Sequence, residues 1–167
     1  MNLPPHESLL ELNQIHRELE EIFCRHQVAV LKTDFACART LLKTYEEGLS
    51  DHMKEEEEIL LPLYQERAAH LRGGDAEIFT TEHKKIGEWL NRLKMRLHRI
   101  VPSVPDFKAV IALLDDESHF KKFIEHHSLR EDRIFYPEIE RVVKESEKEH
   151  LLRLLTFELG EKSSLDS

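Results

Sequence analysis

Cysteine is scarce in this chain. Two residues, Cys24 and Cys37, are too few for a disulfide scaffold or for a cysteine-based zinc or iron–sulfur site, and they read as ordinary buried thiols. No apolar stretch approaches the roughly 20 residues of a membrane-spanning helix, and the start, MNLPPHESLLEL, lacks the basic and apolar regions of a signal peptide. A cytoplasmic protein is expected. Positive charge is also short: 24 Lys and Arg against 33 Asp and Glu leave a net charge of -9, which excludes the basic face that nucleic acid or an anionic membrane requires. The same acidity supplies metal ligands. Glycine and proline are few, with 5 and 6 in 167 residues, and the long runs lack the β-branched alternation of strands. The chain therefore reads as all-α and, by its length, as a single domain over 1–167.

What is present is a phrase that occurs twice. His52-x-x-x-Glu56 is followed by Pro62 ten residues after its histidine, and His127-x-x-x-Glu131 by Pro137 at the same distance. The surrounding residues correspond as well, HMKEEEEILLP against HSLREDRIFYP, so this is an internal repeat. Positions i and i+4 share a helix face, and each phrase aims an imidazole and a carboxylate at one point. Glutamate is common enough here for a lone HxxxE, such as His16/Glu20, to arise by chance. The added proline, twice, is not a chance pattern.

Breaks at Pro4-Pro5, Lys32-Thr33-Asp34, Gly73-Gly74-Asp75 and Pro102 to Asp106 leave four long helical segments. Their apolar residues step by threes and fours. The seams run Leu9, Leu12, His16, Leu19, Phe23, His26, Val30; then Ala38, Leu41, Tyr45, Leu49, His52, Glu56, Ile59, Leu63; then Phe79, His83, Ile86, Leu90, Leu93, Leu97, Ile100; then Val110, Leu113, Glu117, Phe120, Ile124, His127, Glu131, Ile134. This pattern predicts an antiparallel up-down-up-down four-helix bundle with a core of about 6–137. A periodic stretch over about 138–160 predicts one or two shorter helices packed on the outside.

His16, His52, His83 and His127 all sit in seams, where an unpaired polar group costs several kcal/mol. His16 and His83 lie early in their helices, while His52 and His127 lie ten residues before prolines that should kink or end theirs. In an up-down-up-down bundle those four ends lie together, so the imidazoles fall in one layer roughly 15 Å below one end. Two buried carboxylates in that layer call for a cation. His26 lies about 15 Å deeper and reads as a satisfied core histidine. His6, His70, His98, His119, His126 and His150 read as surface residues. Glu55 to Glu58 read as a solvated face from which only Glu56 reaches the layer.

Four imidazoles and two carboxylates suit a pair of first-row ions, iron first, with manganese or zinc as alternatives. Glu56 and Glu131 can bridge two ions, leaving two histidines for each. Ferritin-like bundles instead use Glu-x-x-His on two helices, and the one such motif here, Glu147 to His150, lies outside the four-helix core. The order His, HxxxE, His, HxxxE from about Leu9 to Pro137 resembles the hemerythrin-like family, or HHE cation-binding domain. The phrases HMKEEEEILLP and EHHSLREDRIFYP look most similar to bacterial domains of the di-iron repair-of-iron-centres type.

That resemblance implies His16, His52, Glu56, His83, His127 and Glu131 as ligands of two iron ions joined by an oxo or hydroxo bridge. It implies binding or reaction with a small ligand (O2, NO or peroxide), or iron handling, sensing or iron-centre repair. Two departures bear on this. Oxygen-carrying members have a further histidine one turn after the third-helix histidine, where this chain has Gly87. The chain also lacks the separate cysteine-bearing N-terminal domain of some repair proteins. Redox, nitric oxide or peroxide chemistry, or iron handling, is therefore favoured over oxygen carriage. The rival readings are a manganese or zinc enzyme or regulator on the same ligands, and a non-metal interaction bundle. Leu49, Phe79, Ile86, Phe123 and Ile124 are candidate walls of a small-ligand pocket, and Tyr45 reads as core.

Overall fold

The computed structural model describes residues 6–68, 73–101, 103–104 and 106–160. The Pro4-Pro5 break, Pro102, Pro105 and His70 lie outside the described residues. Among the described residues there is no strand, and no helix is long and apolar enough to cross a membrane.

A short 3-10 turn, Leu9–Leu12, begins the fold, with Ser8 and Glu11 capping each other's backbone N–H groups. It runs directly into α1 (Asn13–Leu31). Helix α2 (Phe35–Glu55) starts at Asp34, whose side chain accepts from the Cys37 N–H. The α1–α2 turn is tight. Thr33 adopts φ 58°, and the Thr33 and Asp34 N–H groups close onto the Val30 and Ala29 carbonyls, the pattern that usually selects glycine at the left-handed position. A β-branched residue there is strained. Thr33→Gly is accordingly expected to stabilise the protein by about 0.5–1 kcal/mol in urea unfolding. An unchanged or lower midpoint would show the turn unstrained.

After α2 come α3 (Leu61–Arg67), α4 (Ala76–Arg99), α5 (Phe107–Arg130), α6 (Tyr136–Val142) and α7 (Glu145–Leu154). Helices α1, α2, α4 and α5 close the expected bundle, α1 against α2, α2 against α4, α4 against α5 and α5 against α1.

The repeated prolines do not end their helices. Glu56–Leu60 and Glu131–Phe135 are each a single π turn, closed by the Leu61 N–H on the Glu56 carbonyl and the Tyr136 N–H on the Glu131 carbonyl. Pro62 and Pro137 then occupy the second positions of α3 and α6. Proline lacks an N–H and its ring crowds the carbonyl four residues back; widening the preceding turn relieves the crowding while the chain stays helical. The extra residue rotates everything after it by about 100°. Hence Ile59, Leu63 and Ile134, which an unbroken period places in the seams, are only half-buried. Leu60, Leu61, Tyr64, Phe135, Tyr136 and Ile139 are buried instead.

This rotation changes the place of the C-terminal segment. It does not lie on the outside of the bundle. Leu151, Leu152, Leu155 and Phe157 join Leu9, Leu12, Leu60, Tyr64, Phe79, Phe135 and Ile139 in an apolar cluster. A separate cluster fills the bundle through Leu19, Phe23, Leu42, Leu90, Leu113 and Phe120. The segment is pinned by Glu55, which is buried and accepts from the Thr156 N–H at 2.9 Å and hydroxyl at 2.8 Å. Glu55 is thus no solvated residue; Glu58 is. At about 1.5–3 kcal/mol per fully buried Leu or Phe, both clusters contribute substantially.

Other positions differ from expectation for reasons of register. Cys24 and Cys37 are exposed, because each falls one residue off the buried stripe at Phe23 and Ala38. His6 is mostly covered, stacked on Phe157 with ring centres 4.1 Å apart and donating to Glu11 at 2.8 Å. His98, His119, His126 and His150 are exposed as expected. His26 is a fully buried, satisfied histidine, with Nδ1 2.8 Å from the Ala38 carbonyl and Nε2 2.9 Å from Glu117, a partner the sequence reading did not assign.

Candidate metal centre

The four seam histidines and two glutamates converge. Their antiparallel helices bring His16 and His83, early in α1 and α4, level with His52 and His127, late in α2 and α5. His16 and His52 approach to 3.1 Å between their Nε2 atoms, and the His83 and His127 rings stand edge to face at 4.9 Å. All four present Nε2 to the interior. Glu131 places Oε1 2.8 Å from His127 and 3.4 Å from His83, and Oε2 3.2 Å from His16. Glu56 places Oε1 3.4 Å from His52 and Oε2 3.4 Å from His83. The donors thereby fall into two sets, His16, His52, Glu56, Glu131 and Glu56, His83, His127, Glu131, each within 4.8 Å. Both carboxylates divide their oxygens between the two sets.

A second ring of acids holds the histidines from behind. His83 Nδ1 donates to Glu57 at 2.8 Å and His127 Nδ1 to Glu82 at 2.9 Å, while His16 Nδ1 lies 3.4 Å from Asp132. Such outer carboxylates fix the tautomer that turns Nε2 inward and raise its basicity. Glu57 and Asp132 occupy the same place in the repeated phrase, directly after the glutamate, and each reaches the lone histidine of another helix. Comparing the two phrases one residue further would have found them.

Tyr136 is the other residue the sequence reading missed. Its hydroxyl donates to Glu56 Oε1 at 2.5 Å and lies 3.1 Å from His52 Nε2 and 3.2 Å from His16 Nε2. Its counterpart in the first phrase is Leu61, so the repeat carries no signal for it; the π turn rotates it inward. Burial, then Glu56 and Glu131, push its pKa far up, so it stays a hydrogen-bond donor. Tyr136→Phe strips Glu56 of that donor, and chelated protein is expected to lose about 1–3 kcal/mol on calorimetry. An unchanged melting temperature would mean Glu56 is satisfied without it.

The electrostatics are those of a site built for positive charge. Burial opposes ionisation of every imidazole. Yet Asp132 and Glu131 lift His16 to about 10, Glu131 and Glu56 lift His83 to about 10, and Glu131 and Glu82 lift His127 to about 9. At His52 burial wins and the pKa falls. Burial likewise works against the Glu131 carboxylate, but His127, His16 and His83 hold it well below its usual range. Glu56 Oε2 and Glu131 Oε2 are nonetheless buried without a well-directed hydrogen bond, near histidines but at poor angles. Two such oxygens among inward imidazole nitrogens fit divalent cations.

A cavity of about 370 Å³ between α1 and α5 ends on His16, His52, His127 and Glu131. Leu49 and Ile124 line it as expected, with Leu19, Phe23, Tyr45 and Phe120. Phe79 belongs to the other apolar cluster, and Ile86 and Phe123 pack in the bundle core. At Gly87 an added Cβ would meet nothing within 4 Å, so the position is open.

The fold and this constellation define a metal-binding helical protein. The family model described as Hemerythrin HHE cation binding domain matches residues 5–64, which bears out the resemblance to that family and does not reach the finer likeness to repair-of-iron-centres domains. The match takes in His16, His52 and Glu56; His83, His127 and Glu131 lie beyond it. No curated protein and no solved structure matches the chain.

Proposed function

We propose that His16, His52, Glu56, His83, His127 and Glu131 hold two iron ions, within a single domain spanning 1–167. The protein would bind or react with a small ligand such as O2, NO or peroxide, or take part in iron handling, sensing or iron-centre repair in the cytoplasm. The observation that carries this reading is the division of both glutamates between two sets, each completed by its own pair of imidazoles. Bound iron supplies Lewis acidity and electron transfer. The chain's own residues orient: Glu57 and Glu82 hold the ring tautomers of His83 and His127, Asp132 adds negative charge beside His16, and Tyr136 holds Glu56. Buried, preset donors lower the cost of reorganisation when charge changes at the centre.

Zinc is the second reading. Each set has four donors of mixed nitrogen and oxygen type, the number a zinc ion ordinarily takes. Elemental analysis of protein expressed in iron-supplemented medium and purified without chelator separates the two. About two irons per chain are expected; zinc or manganese at that ratio would replace iron on the same residues, and no metal after reconstitution would end the proposal.

A further inference from the structure

The three carboxylates behind the layer are not held alike. Asp132, facing His16, and Glu57, bonded to His83, have side chains 32% and 42% exposed, so water competes for their oxygens. Glu82, bonded to His127, is only 13% exposed and is itself held. Arg130 Nε donates to Glu82 Oε1 at 3.2 Å, while Glu82 Oε2 accepts from His127 Nδ1 at 2.9 Å. Nη1 of the same guanidinium donates to the Gly73 carbonyl at 3.0 Å.

The turn at Gly73 and Gly74 is shaped to receive that guanidinium. Gly73 has φ 78°, a conformation that side chains rarely adopt, and a Cβ there would stand 3.3 Å from Arg130 Nη1. The next carbonyl, that of Gly74, accepts from the Tyr64 hydroxyl at 2.5 Å. Tyr64 is buried and packs edge to face on Phe79 and Phe135, so the turn is anchored in the apolar cluster beside the layer. A planar guanidinium donates in two fixed directions at once, and here one direction is braced so that the other is set.

The bridge bears on one donor set. Glu82 directly precedes His83 and is bonded to His127, and Arg130 directly precedes Glu131. Three of the four donors of the Glu56, His83, His127, Glu131 set are thus tied to the Arg130–Glu82 pair, whereas the other set shares only Glu131 with it. Its His16 Nδ1 faces Asp132 at 3.4 Å, and neither atom has a well-directed hydrogen bond.

We propose that Arg130 is a positioning residue for the Glu56, His83, His127, Glu131 set: braced on the Gly73 carbonyl, it fixes Glu82 and through it the angle at which His127 Nε2 meets a metal ion. The proposal rests on the two-ion reading above.

The test is competition of the chelated protein with a chromophoric chelator for cobalt(II), which resolves two binding steps. Outer partners of metal-bound histidines are worth about ten- to a hundredfold in affinity, so Arg130→Gln should weaken one step about tenfold and the other by less than about twofold. Glu82→Gln should weaken the same step at least as much, and Arg130→Gln added to it should cost little more, because the guanidinium acts through that carboxylate. Arg130→Lys keeps the charge without the fork and should recover only part of the loss; should Arg130→Gln fold poorly, this variant is read in its place. In cobalt-loaded protein the paramagnetically shifted His127 Nδ1–H should exchange with solvent faster in Arg130→Gln while that of His83, held by Glu57, keeps its rate. A merely structural role would not single out one ring. Equal weakening of both steps, or a full further loss on top of Glu82→Gln, overturns the proposal. Wild-type protein that takes up two cobalt ions while Arg130→Gln matches it at both steps removes the Arg130 assignment alone, whereas wild-type protein that takes up no cobalt removes the two-ion reading and the role of Arg130 with it.

Discussion

Glu131→Ala is expected to reduce bound metal from about two ions per chain to well under one, the largest loss of any single substitution in the layer. The reason is position: Glu131 belongs to both donor sets and faces His16, His83 and His127 at once. Each histidine serves one set, so His52→Ala should spare part of the second. Glu131→Gln keeps the shape and removes the charge, and should lose nearly as much metal as the alanine variant, because an amide offers no net negative charge to two cations. Stranding a buried group by deleting its partner costs about 3–5 kcal/mol, or roughly two to three and a half powers of ten in affinity at each ion. Glu20→Ala is the control; it lies at the cavity rim outside both sets and should retain two ions. Two ions per chain in Glu131→Ala would show that Glu131 is not a ligand, and the division of the donors between two ions would fall with it.

The sequence made the layer legible and hid what surrounds it, for one physical reason. A 3.6-residue period reads correctly up to a glutamate, so His16, His52, Glu56, His83, His127 and Glu131 could be placed on one level from spacing alone. Just beyond Glu56 and Glu131 the π turns add a residue, and Ile59, Leu63 and Ile134, assigned to the seams there, fall off the buried face. That displacement sent Tyr136 to the centre and Ile134 aside, and opened the faces on which α7 and Phe157 settle. The proline ten residues after each histidine was the visible sign of the turn, read as an end when it marked a change of phase. Cys24, Cys37 and Glu55 were misplaced for a different reason: composition says what a residue prefers, and a helix face decides what it gets. Tyr45 was correctly taken as core.

The phase change also explains how a repeated phrase builds an unsymmetrical site. Glu57 and Asp132 preserve the repeat by serving His83 and His16. Tyr136 against Leu61 breaks it, adding a hydroxyl only on the His16–His52 side. The two donor sets are therefore alike in ligands and unlike in surroundings. The cavity between α1 and α5 reaches His16 and His52 of one set and His127 of the other.

Chelated and metal-loaded protein should respond to pH with opposite signs. In the chelated protein His16 and His83 titrate near 10 and His127 near 9, all above the 6.5 of an unfolded chain. A group with a raised folded pKa contributes its full stabilisation below the unfolded value and loses it as pH climbs through the folded one. Chelated protein should thus lose several kcal/mol between about pH 6.5 and 10, at up to about 1.4 kcal/mol per pH unit for each titrating group. The three share Glu56 and Glu131, so their contributions overlap. His52, whose pKa is lowered by burial, erodes stability below pH 6.5, and Glu131, held low, does so again as its carboxylate is protonated further down. The chelated optimum should fall near pH 6. A metal ion must displace protons from the same Nε2 atoms, so its affinity rises over the very window in which the chelated protein weakens. The gap between loaded and chelated melting temperatures is therefore expected to widen steadily from pH 6 to pH 9, as scanning calorimetry of the two forms would record. A chelated protein whose melting temperature holds level or rises across that window would mean that its imidazoles are already neutral there. The buried carboxylates would then be balanced by something other than the histidines, and the layer would have to be reassigned.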